Sequence, residues 1–213
     1  MRRRDGEPAR TVASWCPPGT GPVLAAVGMW LVAALLVGAS GIFRSLRPPA
    51  PQMVLVGLTI ALLVAARLWP PLRSFVASVD LRALALFHVT RFVGFYFLVL
   101  HARGELPWDF AVPGGWGDNI TAAWVLVLVL FVQPDTRGGR LAYLAWNVFG
   151  LLDILGVVLT AARLAFRDPG SMRALLELPL SLLLTIVVPI IIATHVLMLW
   201  RLAGTRPGRP FRP

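Results

Sequence analysis

The chain has 213 residues, of which 57% are hydrophobic and 14% charged, with a mean hydropathy of +0.75. Soluble domains run at about 45–50% apolar and about 25% charged, so this composition excludes one and identifies an integral membrane protein. All 20 cationic residues are arginine against 10 acids, and the formal +10 reads first as a topology signal, not as a nucleic-acid surface.

Residues 1–21 are basic and hold no apolar run, which predicts a cytoplasmic tail and no cleavable signal peptide. Cys16, the sole cysteine, lies in that tail; alone it excludes an intrachain disulfide, a thiolate-rich metal site and an iron–sulfur cluster. A helix needs about 20 mostly apolar residues to cross roughly 30 Å of hydrocarbon. Six stretches qualify, at about 22–43, 52–69, 81–101, 115–133, 141–163 and 176–200, with proline and glycine between them. The expected fold is an all-α bundle of six transmembrane helices, followed by a basic C-terminal tail at 201–213.

Arginine placement sets the expected orientation. With both termini inside, 13 arginines fall on the cytoplasmic side and six outside, and Arg91 lies within a span. A re-entrant fourth segment would reduce this to 10 against nine, so the positive-inside rule favours six crossings in a bacterial inner membrane. The cytoplasmic arginines would then meet anionic lipid headgroups. Trp69 and Trp200 close their helices on that side, and Trp108 and Trp116 sit at the outer boundary. Small residues at four-residue spacing, Ala34–Gly38 and Gly57–Ala61–Ala65, read as intramolecular packing. A contact with a second copy or as an accessory subunit is the other use of such a spacing.

An ionisable group in hydrocarbon is costly and requires a partner or water. In the third span Arg91 is the midpoint, His88 precedes it by three residues on the same face, and His101 ends the helix. Residues 104–119 are too apolar and aromatic for a solvated linker; they are expected to form an ordered outer loop folded back as a lid. At its end Asp118 would cap the fourth span. The glycine-rich run at 114–117 lacks the lysine and hydroxyl of a phosphate loop. In the fifth span Asn147, Gly150, Asp153 and Gly156 recur every third residue, a thin polar face. Asp153 lies at nearly the depth of Arg91, and a pair between them is the least costly way to hold either charge. The sixth span carries Ser181, Thr185, Val188, Ile192 and His195 along one stripe, with a kink expected at Pro189.

Several of these residues form short motifs: Arg91-x-x-Gly94, Leu106-Pro107-x-x-Phe110-Ala111, Pro113-x-Gly115-x-Gly117-Asp118, Trp146-Asn147-x-x-Gly150-x-x-Asp153 and the Pro189…His195 ending. As a set, over roughly residues 85–200, they resemble a group of uncharacterised bacterial multi-span integral membrane proteins. The resemblance implies an inner-membrane location and one shared polar core, and it brings no activity with it.

Three functional readings follow. The leading one is a small transporter-like or channel-like protein built on a buried cluster of Arg91, Asp153, Asn147 and His195, lined by Thr185, with His88 beside it. The second is a non-transporting accessory or scaffold protein in which the Arg91–Asp153 pair fixes packing. The third is a b-type haem or quinone redox protein, since His88 and His195 lie at similar depth, about 10 Å and about 7 Å from one boundary by helical rise. No hydrolase motif and no metal-ligand spacing is present, so no cofactor is expected on the first two readings.

Overall fold

The computed structural model describes residues 19–204; the tail residues on either side, including Cys16, lie outside the described residues. The described chain is all-helical, with seven main helices in chain order. These are α1 (Thr20–Ala39), α2 (Ala50–Leu68), the short α3 (Pro70–Ser78), α4 (Leu81–Ala102), α5 (Trp108–Phe131), α6 (Arg137–Arg167) and α7 (Leu183–Gly204). All except α3 are long and apolar enough to cross a membrane, so the chain is a multi-pass membrane protein. Two 3-10 segments, Ile42–Ser45 and Pro169–Leu176, join α1 to α2 and α6 to α7.

The largest difference from the sequence reading concerns residues 104–119. They do not form a lid. The α4–α5 connection is only a tight turn, and α5 begins at Trp108, seven residues before the expected start. Helix α4 ends in the usual way for a glycine stop: Gly104 adopts φ 75°, its N–H bonds the His101 carbonyl, and the Glu105 N–H bonds that of Leu100. His101 closes the turn through Nδ1, 3.1 Å from the Leu106 carbonyl. Pro113 is tolerated inside α5 on an exposed face. The glycines that read as loop are packing residues. A Cβ on Gly115 would stand 2.7 Å from the Gly94 carbonyl, and one on Gly114 would stand 3.2 Å from Val157. Glycine therefore allows α4 and α6 to lie close against α5.

The bundle centres on α4, α5, α6 and α7, with α2 packed against α7 and α1 peripheral. At one end arginines from three helices bond the terminal carbonyls of others. Arg82 donates to Val132 (3.0 Å), Arg201 to Val79 (2.7 Å), and Arg140 to Leu202. A cation at a helix C-terminus meets unpaired carbonyls and the negative end of the dipole, so these arginines hold this capped end together. Asp80 and Thr136 cap α4 and α6 at the same end, accepting from the N–H groups of Arg82 (3.1 Å) and Gly139 (2.9 Å).

Two apolar clusters fill the ends of the bundle. Tyr143, Trp146, Met198 and Leu202 belong to the one near the cap, and Phe97, Leu100, Phe110 and Met172 to the one at the far end. Between them two helices depart from α geometry. Helix α4 tightens to a 3-10 helix over Phe87–Val93, and at three residues per turn His88, Arg91 and Gly94 line up on one edge. Helix α7 widens to a π-turn over Leu183–Val187, where the Val188 N–H bonds the Leu183 carbonyl five residues back. That wide turn directly precedes Pro189 and accommodates its missing donor.

Candidate functional site

The polar residues of α4, α5, α6 and α7 meet between the two apolar clusters. At the centre is Arg91, 1% exposed, placed there by the 3-10 stretch of α4. Its guanidinium makes three bonds. Nε donates to Asp118 Oδ1 at 2.6 Å, one terminal nitrogen donates to the Gly150 carbonyl at 2.8 Å, and the other donates to Asp153 Oδ2. A planar donor fork satisfied on three sides is the arrangement in which a buried arginine is tolerated.

Asp118 is therefore not a helix cap. It lies in the body of α5 with its side chain 4% exposed, and the N-cap of α5 is instead Pro107, with no side-chain cap. The periodicity placed it at a helix start only because the glycines before it read as loop. Asp153, at 17%, is the more open of the two carboxylates. Gly117 makes room for it, since a Cβ there would collide with Oδ1 and stand 2.8 Å from Cγ. One guanidinium thus faces two carboxylates, which leaves one formal negative charge unmatched within the membrane-spanning part.

One turn toward the capped end is a second group, built on His88, His195 and Asn147, all fully buried. Asn147 fixes its own orientation by donating from Nδ2 to the His195 carbonyl at 3.0 Å. Its Oδ1 must then accept from His195 Nδ1, 2.7 Å away. His195 Nε2 is left as an acceptor with no partner among the described residues. Thr194 donates to the Ile190 carbonyl at 2.7 Å, so it accepts from His88 Nε2 at 3.1 Å. His88 Nδ1 is also without a partner among the described residues. Trp146 walls this group, 5.1 Å from His88 and 5.5 Å from His195 between ring centroids, and donates from Nε1 to the Thr121 carbonyl at 3.0 Å.

The two groups adjoin at Gly150. Its carbonyl accepts from Arg91, and its Cα faces the His195 ring. Thr185 does not join them. Its hydroxyl bonds the Ser181 carbonyl at 2.9 Å, and ten residues of helix, about 15 Å of rise, separate it from His195. Pro189 sits between, buried at the end of the π-turn. Four contributors escaped the sequence reading: Asp118 as an ion-pair partner, Thr194, Thr121, and Asn119, which is 3% exposed beside Gly94 with its amide unpartnered. Asn119 follows Asp118 directly, so the signal was available once 104–119 was read as helix.

The histidines do not fit a b-type haem. Two axial imidazoles must stand on opposite sides of a macrocycle with iron between them. Here the rings pack on each other with centroids 4.1 Å apart and on Trp146, which leaves no plane for a porphyrin. Among the described residues no group of three or more His, Cys, Asp or Glu could hold a metal ion.

Comparison with curated proteins gives no match, and comparison with solved structures gives none. Residues 48–203 match a family described as "Domain of unknown function (DUF8737)". That range takes in α2 to α7 apart from the final residue, and every residue of both polar groups. The matched part is more than half of the chain, so the chain belongs to the DUF8737 family.

Proposed function

We propose that the protein is a small transporter-like or channel-like protein of a bacterial inner membrane, and that the Arg91 cluster is where it exchanges a proton or a small cation. The observation that carries this reading is the second carboxylate. A structural lock for one buried arginine needs one counter-charge, whereas Asp118 and Asp153 together leave a charge that a proton or cation must balance. Asp153 is the exchanging member, because it is the more exposed of the two carboxylates. His88 and His195, each with an unpartnered nitrogen, extend the polar cluster by one turn of helix on the side of the capped end.

The excess of arginine on one side supports cytoplasmic N- and C-termini, with anionic lipid headgroups against the capped end. The accessory or scaffold reading has one observation in its favour: the three bonds of Arg91 tie α4 to both α5 and α6.

The two readings separate in sealed vesicles containing the purified protein and a trapped pH-sensitive dye, under an imposed membrane potential. On the exchange reading the wild type moves protons, and Asp153→Asn abolishes the signal while helicity and insertion are retained. Unchanged flux in Asp153→Asn contradicts this reading. A silent wild type, together with an Asp153→Asn variant that unfolds, assigns the cluster to packing.

A further inference from the structure

The far end of the bundle contains a cavity unrelated to the polar cluster. It measures about 120 Å³ and lies between α2, α6, α7 and the 3-10 segment Pro169–Leu176. Helix α6 lines it with Ala161, Ala162 and Ala165, whose small side chains create the space, opposite Phe97, Phe110 and Met172. Gln52 is the single polar residue of the lining, and its Oε1 is buried without a partner among the described residues. Apolar cavities stay dry and accept apolar matter. At this size it is comparable with an apolar cavity of about 150 Å³ that takes up benzene, and so has room for a short length of hydrocarbon chain.

The rim has the opposite character. Arg47 stands between Leu46 and Pro48 of the lining, and Arg167 lies two residues before Pro169. Both are exposed, and neither makes an ion pair among the described residues. Beside them Arg44 and Arg173 share Glu177 at 3.2 and 3.3 Å, which ties together the two 3-10 segments bordering the cavity. The segments bordering the cavity thus carry four arginines, Arg44, Arg47, Arg167 and Arg173, against two acids, Asp168 and Glu177.

An apolar hole with unpaired cations at its edge matches a molecule with a hydrocarbon chain and an anionic head. We propose that the cavity holds part of an acyl chain of an anionic phospholipid, with Arg47 and Arg167 on its phosphate. A zwitterionic phospholipid would bring a cation against the arginines, and inorganic phosphate would leave the hole unfilled. This site is independent of the proton-exchange reading.

Native mass spectrometry of the full chain in detergent, titrated with phosphatidylglycerol or phosphatidylcholine of identical chains, tests the assignment. The wild type should retain one phosphatidylglycerol in preference to phosphatidylcholine. Each of Arg47→Gln and Arg167→Gln should lower that preference about fivefold. Ala161→Phe, which fills the hole, should reduce retention of both lipids. Equal retention of the two lipids by the wild type overturns the proposal without recourse to any variant. Competition by inorganic phosphate that is undiminished in folded Ala161→Phe would reassign the rim to a free anion.

Discussion

Gly150 and His195 occupy one another's space: a Cβ on Gly150 would stand 2.7 Å from Cε1 and 3.0 Å from Nε2 of the imidazole. The same glycine presents its carbonyl to Arg91 at 2.8 Å. The carboxylate–guanidinium group and the histidine group therefore meet at Gly150 of α6, as they do along α4 through His88 and Arg91.

A side chain at this junction should be costly. Gly150→Ala is expected to destabilise the protein by about 1–3 kcal/mol, because the methyl overpacks against a ring that has no free direction. Gly156→Ala, about two turns on with nothing within 4 Å of its Cβ position, should instead stabilise the helix by about 0.5–1 kcal/mol. Unfolding of both variants in mixed detergent checks the contrast.

Removal of the shared cation should cost more than removal of either acceptor. Arg91→Leu strands two carboxylates, one of them almost fully enclosed, and the loss is expected at about 3–5 kcal/mol. Asp118→Asn leaves the Arg91–Asp153 pair in place and should cost about 1.5–3 kcal/mol, the range for a hydrogen bond to a charged group. The order of the two, measured in the same detergent, is the outcome to check.

Gly117→Ala separates position from stability. The added methyl meets the Asp153 carboxylate and forces it away from Arg91. Proton flux in vesicles should fall at least as far as in Asp153→Asn, with the protein still inserted and helical. Full flux in Gly117→Ala would show that the present position of Asp153 is not required.

The arginines at the capped end should divide into two kinds. Arg82 bonds the carbonyl of Val132, the C-cap of α5, at 3.0 Å, so Arg82→Gln should cost about 1 kcal/mol. Arg67 is exposed at the end of α2, and Arg67→Gln should cost less than about 0.5 kcal/mol. Thermal unfolding of the two variants measures the difference.

The six spans were legible because length and hydropathy alone decide them, and Arg91 and Asp153 stood out because charge in hydrocarbon is rare. The matching depth of Arg91 and Asp153, and of His88 and His195, could be counted from helical rise. What the sequence did not disclose is how helices approach each other. Pro113 and the three glycines after it are loop formers in water, but in α5 the glycines serve as contact points for α4 and α6. Reading them as a loop displaced Asp118 to a helix end and concealed the second carboxylate. The 3-10 stretch that aligns His88 with Arg91 has no local signature, since it forms where α4 packs against α5. Thr185 was grouped with His195 by face, but distance along α7 and its own bond to Ser181 separate them.

The central claim is that the charge left unmatched at Asp118, Arg91 and Asp153 is balanced by an exchangeable proton or cation. Charge displacement on a solid-supported membrane, recorded when the external pH is stepped across vesicles of oriented protein, tests it most directly. A transient current should appear in the wild type and disappear in folded Asp153→Asn. A current of equal size in Asp153→Asn, or none in a folded wild type, would contradict the account.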